Sequence, residues 1–158
     1  LAGVPDAALR RPNPEGWSVK DIVAHLHDVE GIAFTTRIGR ILAEPEPAIA
    51  SIDPSARLEA GGYAARPLDA RLTELAAFRE EHVAWIGSLS ADDLARQGLH
   101  DRAGAITPAD IIHQWAYHDL AHLRQLLEML QGELVAGMGN TRRFYPEAEA
   151  LYQARAAT

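Results

Sequence analysis

From Thr107 to Leu130 the chain spells a single amphipathic helix with two histidines inside its apolar stripe, and no other feature narrows its folding choices as much. Thr107-Pro108-Ala109-Asp110 supplies the start: a threonine N-cap, a proline at the first helical position and an acidic residue three places after the cap. At about 100° per residue, Trp115, His118, His122, Gln125, Leu126 and Met129 all fall within roughly 60° of Ile111. A stripe of this length has to be covered by other helices. Two neutral imidazoles in it cost several kcal/mol unless their nitrogens find partners, which Leu, Trp and Met cannot provide. Stacked one turn apart, the rings can converge on one metal ion instead. Gly132 stands where a C-terminal cap would end the helix.

Other segments have the same helical period. Arg11 to Gly16 holds two prolines and a glycine, after which Ser18-Val19-Lys20-Asp21 reads as a capped helix start. Ile22, Leu26, Val29 and Ala33 continue it as a stripe, flanked by His25 and Ile32, to about Leu42 before Pro45 and Pro47. Glu44 to Pro67, rich in Pro, Gly, Ala and Ser, is a long connection with room for one short helical turn. Leu68, Leu72, Leu75, Ala76, Val83, Ile86 and Leu89 set a second long helix from about Leu68 to Leu89, and Ser90 with Asp92 suits a short capped turn. Gly98 to Gly104 and Met138 to Arg143 read as loops, and Tyr145 to Ala156 as a short closing helix. No segment alternates as a strand does, so the class is all-α. Three long helices and a short one leave a bundle incomplete, and residues upstream of Leu1 are the expected source of its first helix.

The chain is long enough for one domain over residues 1–158. Its 15 Lys and Arg against 22 Asp and Glu give a net charge of −7, with no basic run to track a phosphate backbone, so nucleic acid is not an expected partner. No apolar stretch approaches a membrane span and no leader precedes Leu1, so a soluble cytoplasmic protein is expected. Zero cysteines remove disulfides, thiolate ligands and a cysteine nucleophile. Any thiol chemistry has to use a thiol brought by a small molecule.

A third ligand for His118 and His122 has to come from another helix. His25 is the candidate, one turn from both Ile22 and Val29 along the edge of the first stripe. His27 and His113 lie about 140° off their respective stripes, His82 sits near an edge and His100 in a loop, so these four are read as ordinary histidines. A metalloprotease would carry a glutamate after the first histidine; here Asp119 stands there, with no downstream third ligand at a familiar spacing. Asp119 points about 100° away from His118, which suits it to holding a ring or a water behind the metal. Trp115, one turn before His118, is placed to line a pocket, Trp17 and Trp85 are read as core, and Tyr117 and Arg124 as surface or dimer contacts. No residue stands out as the catalytic group. A noncatalytic bundle stapled by the ion or by the histidines themselves, with a structural or stress-related role, is the competing reading.

Gly16-Trp17-Ser18-Val19-Lys20-Asp21-Ile22-Val23-Ala24-His25-Leu26, then Phe78-Arg79-Glu80, His100, Gly104, Ile106-Thr107 and His118-Asp119-Leu120-Ala121-His122-Leu123-Arg124-Gln125-Leu126, occur in an order that resembles the DinB/YfiT-like superfamily of metalloenzymes over nearly the whole chain. The resemblance implies a four-helix bundle whose first helix lies largely upstream of residue 1, a homodimer, and a divalent metal held by His25, His118 and His122. It further implies a small-molecule substrate. Some relatives are similar to transferases that use a low-molecular-weight thiol of the bacillithiol or mycothiol kind, and that is the expected activity here, with a metal-dependent hydrolase as the alternative. Zn or Ni suits three imidazoles first, then Mn, Fe or Co.

Overall fold

The computed structural model describes residues 4–53, 56 and 67–156, without the side chains of 153–156. Its helices are α1 (Asp6–Leu9), α2 (Val19–Val29), a π-helical segment (Glu30–Thr35), α3 (Thr36–Ala43), α4 (Leu68–Gly87), α5 (Ala91–Ala95), α6 (Pro108–Leu134), a 3₁₀ segment (Val135–Phe144) and α7 (Pro146–Ala156). The strands are β1 (Ala48–Ile49), β2 (Gly98–His100) and β3 (Gly104–Ile106). No helix among the described residues is long and apolar enough to cross a membrane. The chain divides into two compact bodies, Lys20–Leu120 on one side and Leu1–Val19 with Ala121–Thr158 on the other.

In the 20–120 body, α2, the π segment and α3 form one helical run over the range the periodicity predicts. The middle is different. A π turn takes in an extra residue, which rotates the buried face, so Glu30 and Phe34 are buried while Ile32, which the regular period keeps beside the stripe, is only half-buried. Local hydroxyls help meet the π turn's backbone acceptors: Thr35 Oγ1 donates to the carbonyls of Glu30 and Gly31, both at 3.0 Å, and Thr36 Oγ1 donates to Gly31 at 2.7 Å. Val29, Ala33, Phe34, Ile38, Ile41, Ile49, Ile111 and Trp115 make the core, and Trp85, Ile86 and Leu89 pack against it. The wide spacing of Leu68 to Leu89 is α4, ending at Gly87. A capping box closes the start of α5, with Asp93 rather than Asp92 as the partner of Ser90.

Two loop expectations need correction. Gly98 to Gly104 is a hairpin, β2 pairing antiparallel with β3, while β1 pairs parallel with β2 in a three-stranded sheet. Strands of two or three residues are too short to show alternation. Gly98 is required there, because a Cβ at this position would come within 2.8 Å of Ile41 Cγ1. The second correction concerns Gly132, through which α6 continues to Leu134. The left-handed glycine is Gly139, φ +55°, inside the 3₁₀ segment that replaces the expected loop over Met138 to Arg143.

The other body is made of α1, the proline-rich approach to α2, the C-terminal part of α6, the 3₁₀ segment and α7. Arg11 pairs with Glu133, and Arg142 lies over the Tyr152 ring at 3.8 Å while pairing with Glu149 at 2.8 Å. A cavity of about 680 Å³ opens here, bordered by Val4, Ala8, Arg11, Gln125, Met129 and Leu151 among others.

Candidate metal centre

α6 begins where the sequence says it should. Thr107 Oγ1 accepts the Asp110 N–H at 3.1 Å, and Asp110 Oδ2 accepts the Thr107 N–H at 2.9 Å, a reciprocal cap that fixes the phase of everything downstream. That phase places Trp115 in the core and His118 one turn beyond it. α2 buries His25 at 6% exposure, and its Nε2 lies 3.1 Å from His118 Nε2. The two rings are 5.1 Å apart and tilted by 50°, with Phe34 edge-on to His118 at 5.4 Å.

His122 is the next turn of the same helix. Its Nδ1 lies 3.0 Å from Gln125 Oε1; donating there, the ring keeps its proton on Nδ1 and leaves Nε2 as the ligand atom. Trp17 stacks on it at 6.1 Å and 26°. Trp17 is thus half-buried beside a histidine rather than a core residue. It is set by the turn before α2, where its N–H donates to Asn13 Oδ1 at 2.8 Å and Gly16 takes φ +87°. His25, His118 and His122 each offer one nitrogen, and these atoms all lie within 4.8 Å of one another.

Nitrogens bound to one tetrahedral ion at 2.0–2.1 Å sit about 3.3 Å apart, so the measured 3.1 Å between His25 and His118 is close to a ligand spacing. The donor set suits a divalent ion of borderline softness. Because all three ligands are neutral, the ion would retain its full charge.

Behind His118 lies a charged cluster that the periodicity does not announce. Glu30 has 0% exposure; its Oε2 accepts from Arg79 Nε at 3.0 Å and its Oε1 from His82 Nδ1 at 2.9 Å. Arg79 Nη1 reaches on to Asp119 Oδ2 at 2.6 Å, and its guanidinium lies 5.2 Å from the Trp115 ring centre. Asp119 Oδ1 is in turn 3.9 Å from His118 Nδ1, an ion-pair distance rather than a hydrogen bond. Burial works to raise the Asp119 pKa, but His118 and Arg79 outweigh it and hold the carboxyl below its ordinary value. For Arg79, burial works downward, and hydrogen bonds to Glu30 and Asp119 more than reverse it.

Trp115 stacks on Phe34 at 5.2 Å, so it stands behind Phe34 relative to His118. Of the other histidines, His27 packs on Phe78 at 5.0 Å, His113 Nδ1 meets the Ala109 carbonyl at 2.8 Å, and His100 Nδ1 accepts backbone N–H groups of Arg102 and Ala103 at 3.2 and 3.3 Å. Sequence reasoning did not single out Glu30, Gln125 or His82 for this neighbourhood. Gln125 lay in the apolar stripe and was the available signal.

A helical fold that brings histidines of two helices together in this way defines a class, and the chain belongs to the DinB superfamily, which it matches over residues 1–126. Among solved structures it is similar to YfiT from Bacillus subtilis, described as a probable metal-dependent hydrolase with an unusual four-helix bundle topology; the likeness has a TM-score of 0.66 at 25% identity and covers 80% of this chain and 75% of that one. The fold is the four-helix-bundle type expected from the sequence, with a small sheet added. No curated protein sequence matches the chain.

Proposed function

We propose that this protein is a divalent-metal-dependent enzyme acting on a small molecule, with His25, His118 and His122 as the metal ligands and hydrolysis as its reaction. The observation that carries the proposal is the convergence of three imidazole nitrogens within 4.8 Å, on a chain whose structural relative YfiT is described as a probable metal-dependent hydrolase. Three protein ligands leave a coordination position open, and the ion there supplies Lewis acidity to whatever fills it. The chain's own part is to position and to shield. Gln125 fixes the proton of His122 on Nδ1, Trp17 and Phe34 cover ring faces and edges, and Asp119 stands behind His118.

Zn or Ni is the first choice of ion, on donor chemistry. A homodimer belongs to the same proposal, supported by the family resemblance and by exposed Tyr117, Leu120 and Leu127 along α6. Protein purified without added metal should carry about one divalent ion per chain, and loading it should give hydrolysis of activated esters or amides that chelation and His118→Ala both abolish. Conjugation of an electrophile to a low-molecular-weight thiol, with no hydrolysis, would move the assignment to the thiol transferase. A loaded protein inert in both assays would favour the noncatalytic bundle.

A further inference from the structure

We propose that Asp119, Arg79 and Glu30 form a positioning relay that sets the orientation of His118 as a ligand, anchored by the π turn of the first helical run. The inference rests on the metal reading above and concerns residues that reading does not use as ligands. Asp119 and His118 are adjacent on α6, so their side chains diverge by about 100°, and a carboxylate there does not reach a neighbouring ring without guidance. The guidance is visible. Arg79, from α4, pulls Asp119 by a 2.6 Å hydrogen bond to Oδ2, and the other carboxylate oxygen is left 3.9 Å from His118 Nδ1. Arg79 is itself held by Glu30, through Nε and Nη2, both at 3.0 Å from Oε2.

Glu30 occupies its place because of the π turn. In a regular α-helix the buried face would pass to other positions; the inserted residue turns this carboxylate to 0% exposure, where only a matched charge makes it tolerable. π turns of this kind occur frequently at functional sites, and here the turn delivers an anchor rather than a ligand. Its effect passes from Glu30 to Arg79, to Asp119 and to the His118 ring. A carboxylate behind a ligating histidine fixes the tautomer and raises the basicity of the ligating nitrogen, and its loss weakens metal binding by about 10- to 100-fold.

The test measures Zn²⁺ affinity of the full chain by competition with a chromophoric chelator, and the visible spectrum of the Co²⁺ form. Asp119→Asn keeps the shape and should weaken Zn²⁺ by about 10- to 100-fold and shift the Co²⁺ bands, with the apoprotein still folded. Arg79→Gln is made together with Glu30→Gln, so that no unpaired charge remains buried. That pair should weaken Zn²⁺ by a similar factor, and adding Asp119→Asn to it should change affinity by no more than about 2-fold, since all three act through one ring. Native protein that binds Zn²⁺ tightly while Asp119→Asn binds it equally well would overturn the relay and leave the metal reading standing. So would factors that multiply in the triple variant. Native protein that fails to bind Zn²⁺ would instead remove the metal reading, and the relay with it.

Discussion

Glu30 and His25 are both polar side chains buried in the 20–120 body, at 0% and 6% exposure, yet their surroundings satisfy them in opposite ways. Around Glu30 every close partner is its complement: a guanidinium on one oxygen, an imidazole N–H on the other. Around His25 like meets like, Nε2 against Nε2 at 3.1 Å, and two neutral rings can share only one proton across that gap. The charged cluster is closed on itself and therefore belongs to stability. The imidazole cluster points lone pairs at a common space, so its natural complement is a cation that the chain does not supply.

The sharpest way to break this contrast is to remove the cation from the closed cluster. Arg79→Leu leaves Glu30 buried beside His82 alone and should cost about 3 kcal/mol in denaturant unfolding, the low end for a broken buried pair, since the guanidinium is 36% exposed. Neutralising both partners, as Glu30→Gln with Arg79→Leu, should recover most of that loss. If the single variant loses no stability, Glu30 is not held as a charge and the cluster is not a structural one.

His25→Ala is the matching change in the other cluster and should read out differently. Zn²⁺ affinity should fall at least about 100-fold, equivalent to about 2.7 kcal/mol of binding free energy, while the unfolding midpoint of the metal-free protein moves little. Zn²⁺ at about 100 times its Kd should stabilise the native chain by about 2.7 kcal/mol and leave the variant unchanged. Equal stabilisation of both by Zn²⁺ would place the ion elsewhere.

The contrast also explains what could be read in advance. His118 and His122 were legible because both their spacing and the phase of α6 are local: the Thr107 and Asp110 cap starts the helix, and the period does the rest. Glu30 was not, because nothing within Glu30–Thr35 declares a π turn; its buried glutamate is tolerated only through Arg79 and His82, roughly fifty residues away. Gly132 misled for a related reason. A glycine caps a helix only if the chain turns left-handed there, and packing keeps Gly132 buried and helical while Gly139 takes the turn. Trp17 sits beside His122 because of Asn13 and Gly16, turn residues whose geometry is local but whose destination is set by tertiary structure.

The Thr107 and Asp110 cap is a third polar pair, complementary like the Glu30 cluster but solvent-exposed, and it isolates what burial adds. Thr107→Ala should cost about 1 kcal/mol, well below Arg79→Leu, because water can replace most of what the cap provides. Its acid dependence has a defined sign. Hydrogen bonds from the Thr107 hydroxyl and then its backbone N–H, with His113 nearby, hold the Asp110 carboxyl below its ordinary value of 3.8. The folded pKa is therefore lower than the unfolded one, so the contribution is fully present above the unfolded value and disappears as pH falls through the folded value. Denaturant unfolding of native and Asp110→Asn protein should differ at pH 7 and converge near pH 3. A difference that persists undiminished in acid would mean that Asp110 acts by shape rather than by charge.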